Sequence, residues 1–385
     1  MHRRFLFFIT FLFSTNILLA QFETNFSGYV IELPVYMIMK KYPAFIPFPL
    51  NNQFLNLNRL RLKPEINLWE NARINIEYEI DALYSEKNLL FDLSSVSTNR
   101  QLFNLKWDII NKGNYNVTHY FDRLYFRQDF GWGNISVGRQ RISWGSGRIW
   151  NPTDLFNPVN PANFAKIEKD GADVAAFTYF FGNFTDLEMV YNPQKKIENS
   201  NAGFRFRTNI NKYDLAVVGG YFDKRIVAGW DFAGSIFDAG IRGEGIVSMN
   251  KEDISDNYTK FILGTDYQIT PQLYALIEYQ YNGQGKANKS DYLLILPKLV
   301  KGEILNLSKN YLAVSANYTF SYITSASILI NQNLNDGSGF IAASGLYSVT
   351  SNLSLTLGTQ LTFGNNFSEY WYYPHSVYLQ AQYYF

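Results

Sequence analysis

From about residue 25 to the end, apolar and polar residues alternate with a period of two, segment after segment, as in Ser351 to Phe363. There Leu353, Leu355, Leu357, Leu361 and Phe363 share one face, and Ser354, Thr356, Gly358, Gln360 and Thr362 the other. Residues 271–283 and 308–320 read the same way. A strand with one apolar and one small-polar face follows from that period. Soluble sandwiches share this alternation, so the connections have to decide.

About 18 such strands can be placed (16–18, because the 84–115 stretch and the terminal pairs are weakly patterned), an even number of the kind used by transmembrane barrels. Their connections alternate in length. One set is short, as at residues 69–71, 129–131, 269–270 and 321–322; the other is generally longer and polar, at 34–56, 84–115, 142–167, 193–201, 249–256, 284–307, 334–337 and 364–374. The tight Asp223-Lys224 step is the exception in the second set. Short turns on one side and long loops on the other are the asymmetry of a transmembrane antiparallel β-barrel. The fold class is therefore all-β, with short periplasmic turns, extracellular loops and an outer-membrane bilayer as its solvent.

Residues Met1 to Ala20 add an address: two arginines, a short apolar run and a small residue. Those are the parts of a secretory signal peptide, so residues 1–20 are read as signal and 21–385 as one barrel domain. Few residues separate the expected cut from the first strand, which leaves loops to narrow the lumen. At the other end Val377, Leu379, Ala381, Tyr383 and Phe385 share one face. This resembles the C-terminal strand signal of bacterial outer-membrane proteins and implies contact with the barrel-assembly machinery.

Composition excludes some classes. A net charge of +1 argues against a nucleic-acid partner, and the absence of Cys excludes a disulfide scaffold and Cys-ligated zinc. No cofactor or metal motif occurs. A hydrolase would have to use His119 or His375, and neither sits in a motif with a serine and an acid, so the chain is read as a non-enzyme. A fatty-acid transporter would need an N-terminal hatch; a structural or adhesive barrel remains as the alternative to a channel.

Charges gather on the polar faces: Arg59, Arg61, Lys63 and Glu65 on one strand, Arg73, Glu77, Glu79 and Asp81 on the next. An arginine at the lipid midplane costs roughly 2–4 kcal/mol, so these faces line water. Two places break the pattern. Arg123 and Arg127 share parity with Phe121 and Tyr125, and Arg139 and Arg141 with Ile135 and Val137. For the second pair, either a bulge near Gly138 shifts the register or the strand has left the hydrocarbon by Arg139.

The strand carrying Arg139 runs into the stiffest loop of the chain, residues 142–167, the third long connection, with Pro152, Pro158 and Pro161 each following an Asn. Long, stiff loops are more often functional than passive. Gly145 and Gly147 are expected to serve unusual backbone angles or close approach. Trp144 and Trp150 could stack on sugar rings or anchor the loop by burial. Arg139, Arg141 and Arg148, with Arg123 and Arg127 nearby, could contact carboxylates, or Arg139 and Arg148 could pair with Asp154, Glu168, Asp170 or Asp173 and pin the loop.

The run Gly138-Arg-Gln-Arg-Ile-Ser-Trp-Gly-Ser-Gly147, followed by Asn151-Pro-Thr-Asp-Leu-Phe-Asn-Pro158, resembles the signature of porin-like families related to alginate-export barrels. The position of the loop is similar to the in-folded constriction loop of general porins. The resemblance implies a channel for small hydrophilic solutes, often anionic or saccharide, with 142–167 as its constriction.

Overall fold

A computed structural model describes residues 23–40, 51–86, 100–157, 168–300 and 304–385. Met1 to Ala20, Pro158 and Pro161 lie outside them. Among the described residues there are 19 strands in one antiparallel sheet. They are β1 (Thr24–Ile38), β2 (Gln53–Trp69), β3 (Ala72–Ser85), β4 (Lys106–Lys112), β5 (Tyr115–Phe130), β6 (Gly133–Gln140), β7 (Ala172–Phe180), β8 (Asp186–Asn192), β9 (Asn201–Ile210) and β10 (Tyr213–Phe222). The remainder are β11 (Arg225–Ile236), β12 (Ala239–Asn250), β13 (Tyr258–Gln268), β14 (Leu273–Asn282), β15 (Asn310–Ser321), β16 (Thr324–Asn333), β17 (Gly339–Ser348), β18 (Leu353–Phe363) and β19 (His375–Tyr384).

Each strand pairs with the next, except that β3 bypasses β4 to pair with β5, and β19 returns to β1. Eighteen strands thus close an all-β antiparallel barrel. At the seam Gly28 and Phe385 exchange both backbone hydrogen bonds, at 3.0 and 3.1 Å. A Cβ on Gly28 would sit 2.7 Å from the Phe385 ring, so a larger residue would wedge the seam open.

Val217, Trp230, Leu263, Ile277, Val314, Leu357 and Leu379 are all exposed on the outward face. A contiguous band of this kind calls for hydrocarbon rather than water. Its aromatic edge at the short-turn end includes Trp69, Phe130, Trp132, Phe180, Phe320 and Tyr322. The turns there are built for twist: Asn211-Lys212 and Phe237-Asp238 both have positive φ at two successive residues, the geometry that matches paired strands. Asp223-Lys224 makes the same turn at the long-loop, or outer, end.

Two irregular places have structural explanations. The register between β3 and β5 shifts after Glu77, which pairs with Arg123 while Tyr78 pairs with Phe121, leaving Asp122 as a bulge. The extra residue turns Arg123 and Arg127 to the inward face and leaves Phe121 outward. Around Gly138 no bulge forms, because β6 pairs in unbroken register with both β5 and β7. Instead the strand ends one residue past Arg139.

The hairpin strand β4 was not foreseen, since KWDIINK hardly alternates. It pairs with the outer half of β5, Tyr115 to Tyr120, while β6 pairs with the inner half, Leu124 to Phe130. With residues 100–105 it therefore continues the wall where β6 stops. An unforeseen helix, α1 (Tyr292–Val300), lies in the connection between β14 and β15.

Candidate functional site

Beyond Gln140 the chain leaves the wall, and residues 142–157 run along the inward faces of strands on one side of the barrel. The Trp144 indole nitrogen donates to Glu188 on β8 at 2.6 Å. Next, the Ser146 N–H donates to Glu244 on β12 at 2.7 Å, joined there by the Thr153 hydroxyl at 3.0 Å. Then the N–H groups of Arg148, Ile149 and Trp150 all donate to Glu278 on β14, at 2.9, 3.1 and 2.8 Å. A loop that abandons the sheet loses its ladder partners, and these carboxylates replace them.

Apolar contacts fill the space between. Trp144 and Phe156 pack on Val174, Val190, Val218, Phe222, Val227 and Ile246, inward residues of β7, β8 and β10 to β12. Farther on, Trp150 packs with Ile262, Tyr311 and Phe340. Both indoles are 2% exposed or less and so offer no open face.

The glycines follow from the same anchors. Gly145, at φ +98°, lies so close to Glu244 that a Cβ would collide with its carboxylate; on Gly147 a Cβ would meet the Trp150 carbonyl. On Gly138, at φ +128°, it would strike the Leu124 carbonyl. Pro152 is buried within the turn.

The returning limb is tied to a different arc. Glu168 bonds Lys63 at 2.8 Å and Arg61 at 3.2 Å, both on β2. Burial pushes the Glu168 carboxyl up, but Arg61 and Lys63 outweigh it and hold the group below its usual range. Arg123 donates to the Lys169 carbonyl at 2.6 Å, and the Gly171 N–H donates to Asp122 at 3.0 Å. Behind them the buried Arg59, Arg61, Glu79, Asp81 and Asp122, with the half-buried Glu77, form an ion network across β2, β3 and β5. Glu77, Asp122 and Glu168 approach as metal ligands would. Arg61, bonded to all three, already fills the position with a cation.

The arginines separate into two groups. Arg139 pairs with Asp173 at 2.7 Å, both buried, and donates to the Phe121 and Phe103 carbonyls, which stitches β6 to the wall segment at 100–105. Arg123 pairs with Asp122 at 2.7 Å. Arg127 pairs with Asp129 at 2.8 Å near the short turns, away from the loop. By contrast, Arg141 and Arg148 are exposed. Arg141 bonds Ser143 at 3.3 Å, and the Arg148 guanidinium makes no hydrogen bond or ion pair among the described residues, while its backbone N–H meets Glu278. Asp154 pairs with Lys169 instead; burial pushes its carboxyl up to about 6 against the pull of that lysine.

The opposite sector of the lumen is of another kind. Residues 310–385 contain no Lys or Arg, and their two acids, Asp336 and Glu369, lie in outer connections. The inward positions of β15 to β19 include Ser315, Asn317, Ser327, Ser344, Thr356 and Gln380. At the outer end Glu369 accepts from Tyr311 at 2.6 Å, Leu307 N–H at 2.7 Å and Asn333 at 2.9 Å, binding three loops together.

His119 meets the Tyr78 hydroxyl at 2.6 Å and stacks on Trp107, and His375 accepts from the Thr362 N–H at 3.1 Å.

The outer-membrane protein OpdK of Pseudomonas aeruginosa superposes on this barrel with a TM-score of 0.56 at 8% identity, over 94% of this chain and 98% of that one. The fold is that of an outer-membrane barrel. Rhodopseudomonas blastica porin, as a triple mutant, aligns at 0.48 and 8% identity, over 94% and 100% of the two chains. Salmonella typhi OmpF, in complex with daunomycin, aligns at 0.45 and 9%, over 94% and 97%. No family model matches the chain, and no curated protein matches it.

Proposed function

We propose that this chain is an outer-membrane channel for passive diffusion of small hydrophilic solutes, with residues 142–167 as its constriction and a preference for anions. The observation that carries this is the path of the loop. Its outgoing limb, 142–157, is fixed to β8, β12 and β14, and its returning limb, 168–171, to β2 and β5, which sets both limbs against the inner wall. The anion preference is supported by Arg141 and Arg148, exposed on that limb without a carboxylate partner among the described residues. The uncharged hydroxyl and amide sector of β15 to β19 suits saccharide-type solutes, which need hydrogen bonds and no counter-charge.

The export signal at 1–20, the barrel-assembly contact through Phe385, and the kinship with alginate-export barrels suggested by residues 138–158 belong to the same proposal. Planar-bilayer recording tests it. Purified protein is expected to conduct with chloride favoured over potassium, and Arg141→Ala with Arg148→Ala to lower that preference at least twofold, a modest effect because exposed charges are screened by salt. A barrel that never conducts would refute the channel. Selectivity unmoved by the double variant would refute the arginine role.

A further inference from the structure

Arginines and lysines on the inward faces of the barrel strands are paired with carboxylates, from Arg59 and Arg61 on β2 to Arg205 on β9 and Arg242 on β13's neighbour β12. Lys260 on β13 breaks this rule. Among the described residues it has no carboxylate within 4.0 Å and donates no hydrogen bond. Its ammonium lies 5.2 Å from the centre of the Tyr258 ring, and the Arg225 guanidinium lies 4.8 Å from the same ring.

Arg225 is already compensated, bonding Asp256 and, at 2.7 Å, the Ser248 hydroxyl. Lys260 is not. A partly buried ammonium without a counter-charge is unfavourable, and a ring face returns only a fraction of what a carboxylate would supply. A second cation beside it adds repulsion. Both costs fall when an anion arrives.

The location suits capture. Lys260 lies two residues toward the outer end from Ile262, the inward residue against which Trp150 packs, so it sits above the loop on the entry side. We propose that Lys260, with Arg225 beside it, is an anion-binding station at the outer mouth of the channel, taking the carboxylate or phosphate of a small solute before it reaches the loop. The station deepens the channel reading and rests on it.

The test uses the full-length barrel in planar bilayers, with gluconate and inorganic phosphate as separate probes of chloride current. Gluconate alone blocking would assign the station to carboxylates, and phosphate alone to phosphates. In either case Lys260→Gln is expected to raise the half-blocking concentration about tenfold, the scale of one charge-assisted hydrogen bond in a wet site. Lys260→Arg should stay within about twofold of the parent, and Lys251→Gln, an equal charge loss on an exposed outer loop, should leave block unchanged. Block by both probes that is identical in the parent and in Lys260→Gln would overturn the station while leaving the channel intact. Isothermal titration of phosphate and of gluconate into detergent-solubilised protein keeps the two readings separable: heat that vanishes in Lys260→Gln supports the station even if no conductance is found, and no heat from either probe refutes it.

Discussion

Glu278 is where the loop is most exposed to a single substitution. Three consecutive N–H groups, of Arg148, Ile149 and Trp150, end on its two oxygens. Hydrogen bonds to a charged group contribute about 1.5–3 kcal/mol each, and an orphaned buried donor costs about 1–3 kcal/mol. In Glu278→Gln one oxygen becomes an NH2 group, so at least one N–H loses its acceptor and the others lose the charge. The loss is then about 3 kcal/mol, or roughly 100-fold in the ratio of detached to attached loop. A loop detached on the order of 0.1% of the time would become detached about 10% of the time. Single-channel recording is the assay. The variant is expected to show frequent steps to a larger conductance, while β14, whose ladder is untouched, keeps the folded barrel's mobility on unheated gels. A Glu278→Gln channel as quiet as the parent, with the same conductance, would refute the idea that this carboxylate holds the loop.

Two further outcomes are expected. Burial raises the Glu369 carboxyl to about 7 from an ordinary value of 4.5. A raised carboxyl means the folded state binds the proton more tightly, so the stabilisation is full below about pH 4.5 and is lost as pH climbs through 7, by up to about 3 kcal/mol. Hydrogen exchange at the Leu307 amide, corrected for its intrinsic pH dependence, should be faster at pH 8 than at pH 5, and Glu369→Gln should abolish the difference; equal protection at both pH values in the parent would contradict it. Separately, Arg139→Met leaves Asp173 buried without its cation and should cost about 3–5 kcal/mol, visible as a lower urea midpoint of unfolding. An unchanged midpoint would remove Arg139 from its proposed role in holding the wall at 100–105.

Much of the barrel was readable because its two solvents impose a period of two on every strand. All eighteen wall strands lie where alternation placed them, shifted by a few residues at their ends. Sequence reading missed β4, whose residues hardly alternate, and α1, whose apolar run YLLILPKLV carries a Pro at 297 and no strand partner. The Asp122 bulge was visible only as a symptom, arginines sharing parity with aromatics. At the loop, Gly145 lies against Glu244 and Gly147 against the Trp150 carbonyl, neighbours to which the sequence does not point. Nothing in the sequence sets Glu188, Glu244 and Glu278 apart from other carboxylates on polar strand faces. Their partners are mostly backbone N–H groups, which every residue carries, so side-chain identity gave no signal. Arg148 belongs to the same case, since it is held through its backbone N–H, on Glu278, and not through its guanidinium.

The anchors of the loop also fix an order of events. Ser146 meets Glu244 across 98 residues, and Arg148 meets Glu278 across 130. Contacts this distant in sequence form only after the intervening chain has been brought together, which is the slow part of folding. The N–H groups of Arg148, Ile149 and Trp150 therefore have no acceptor until β14 is in the wall, and an incomplete barrel leaves them unbonded. Attachment of this stretch is in this sense a late step of construction, and its presence reports that the wall as far as β14 is in place.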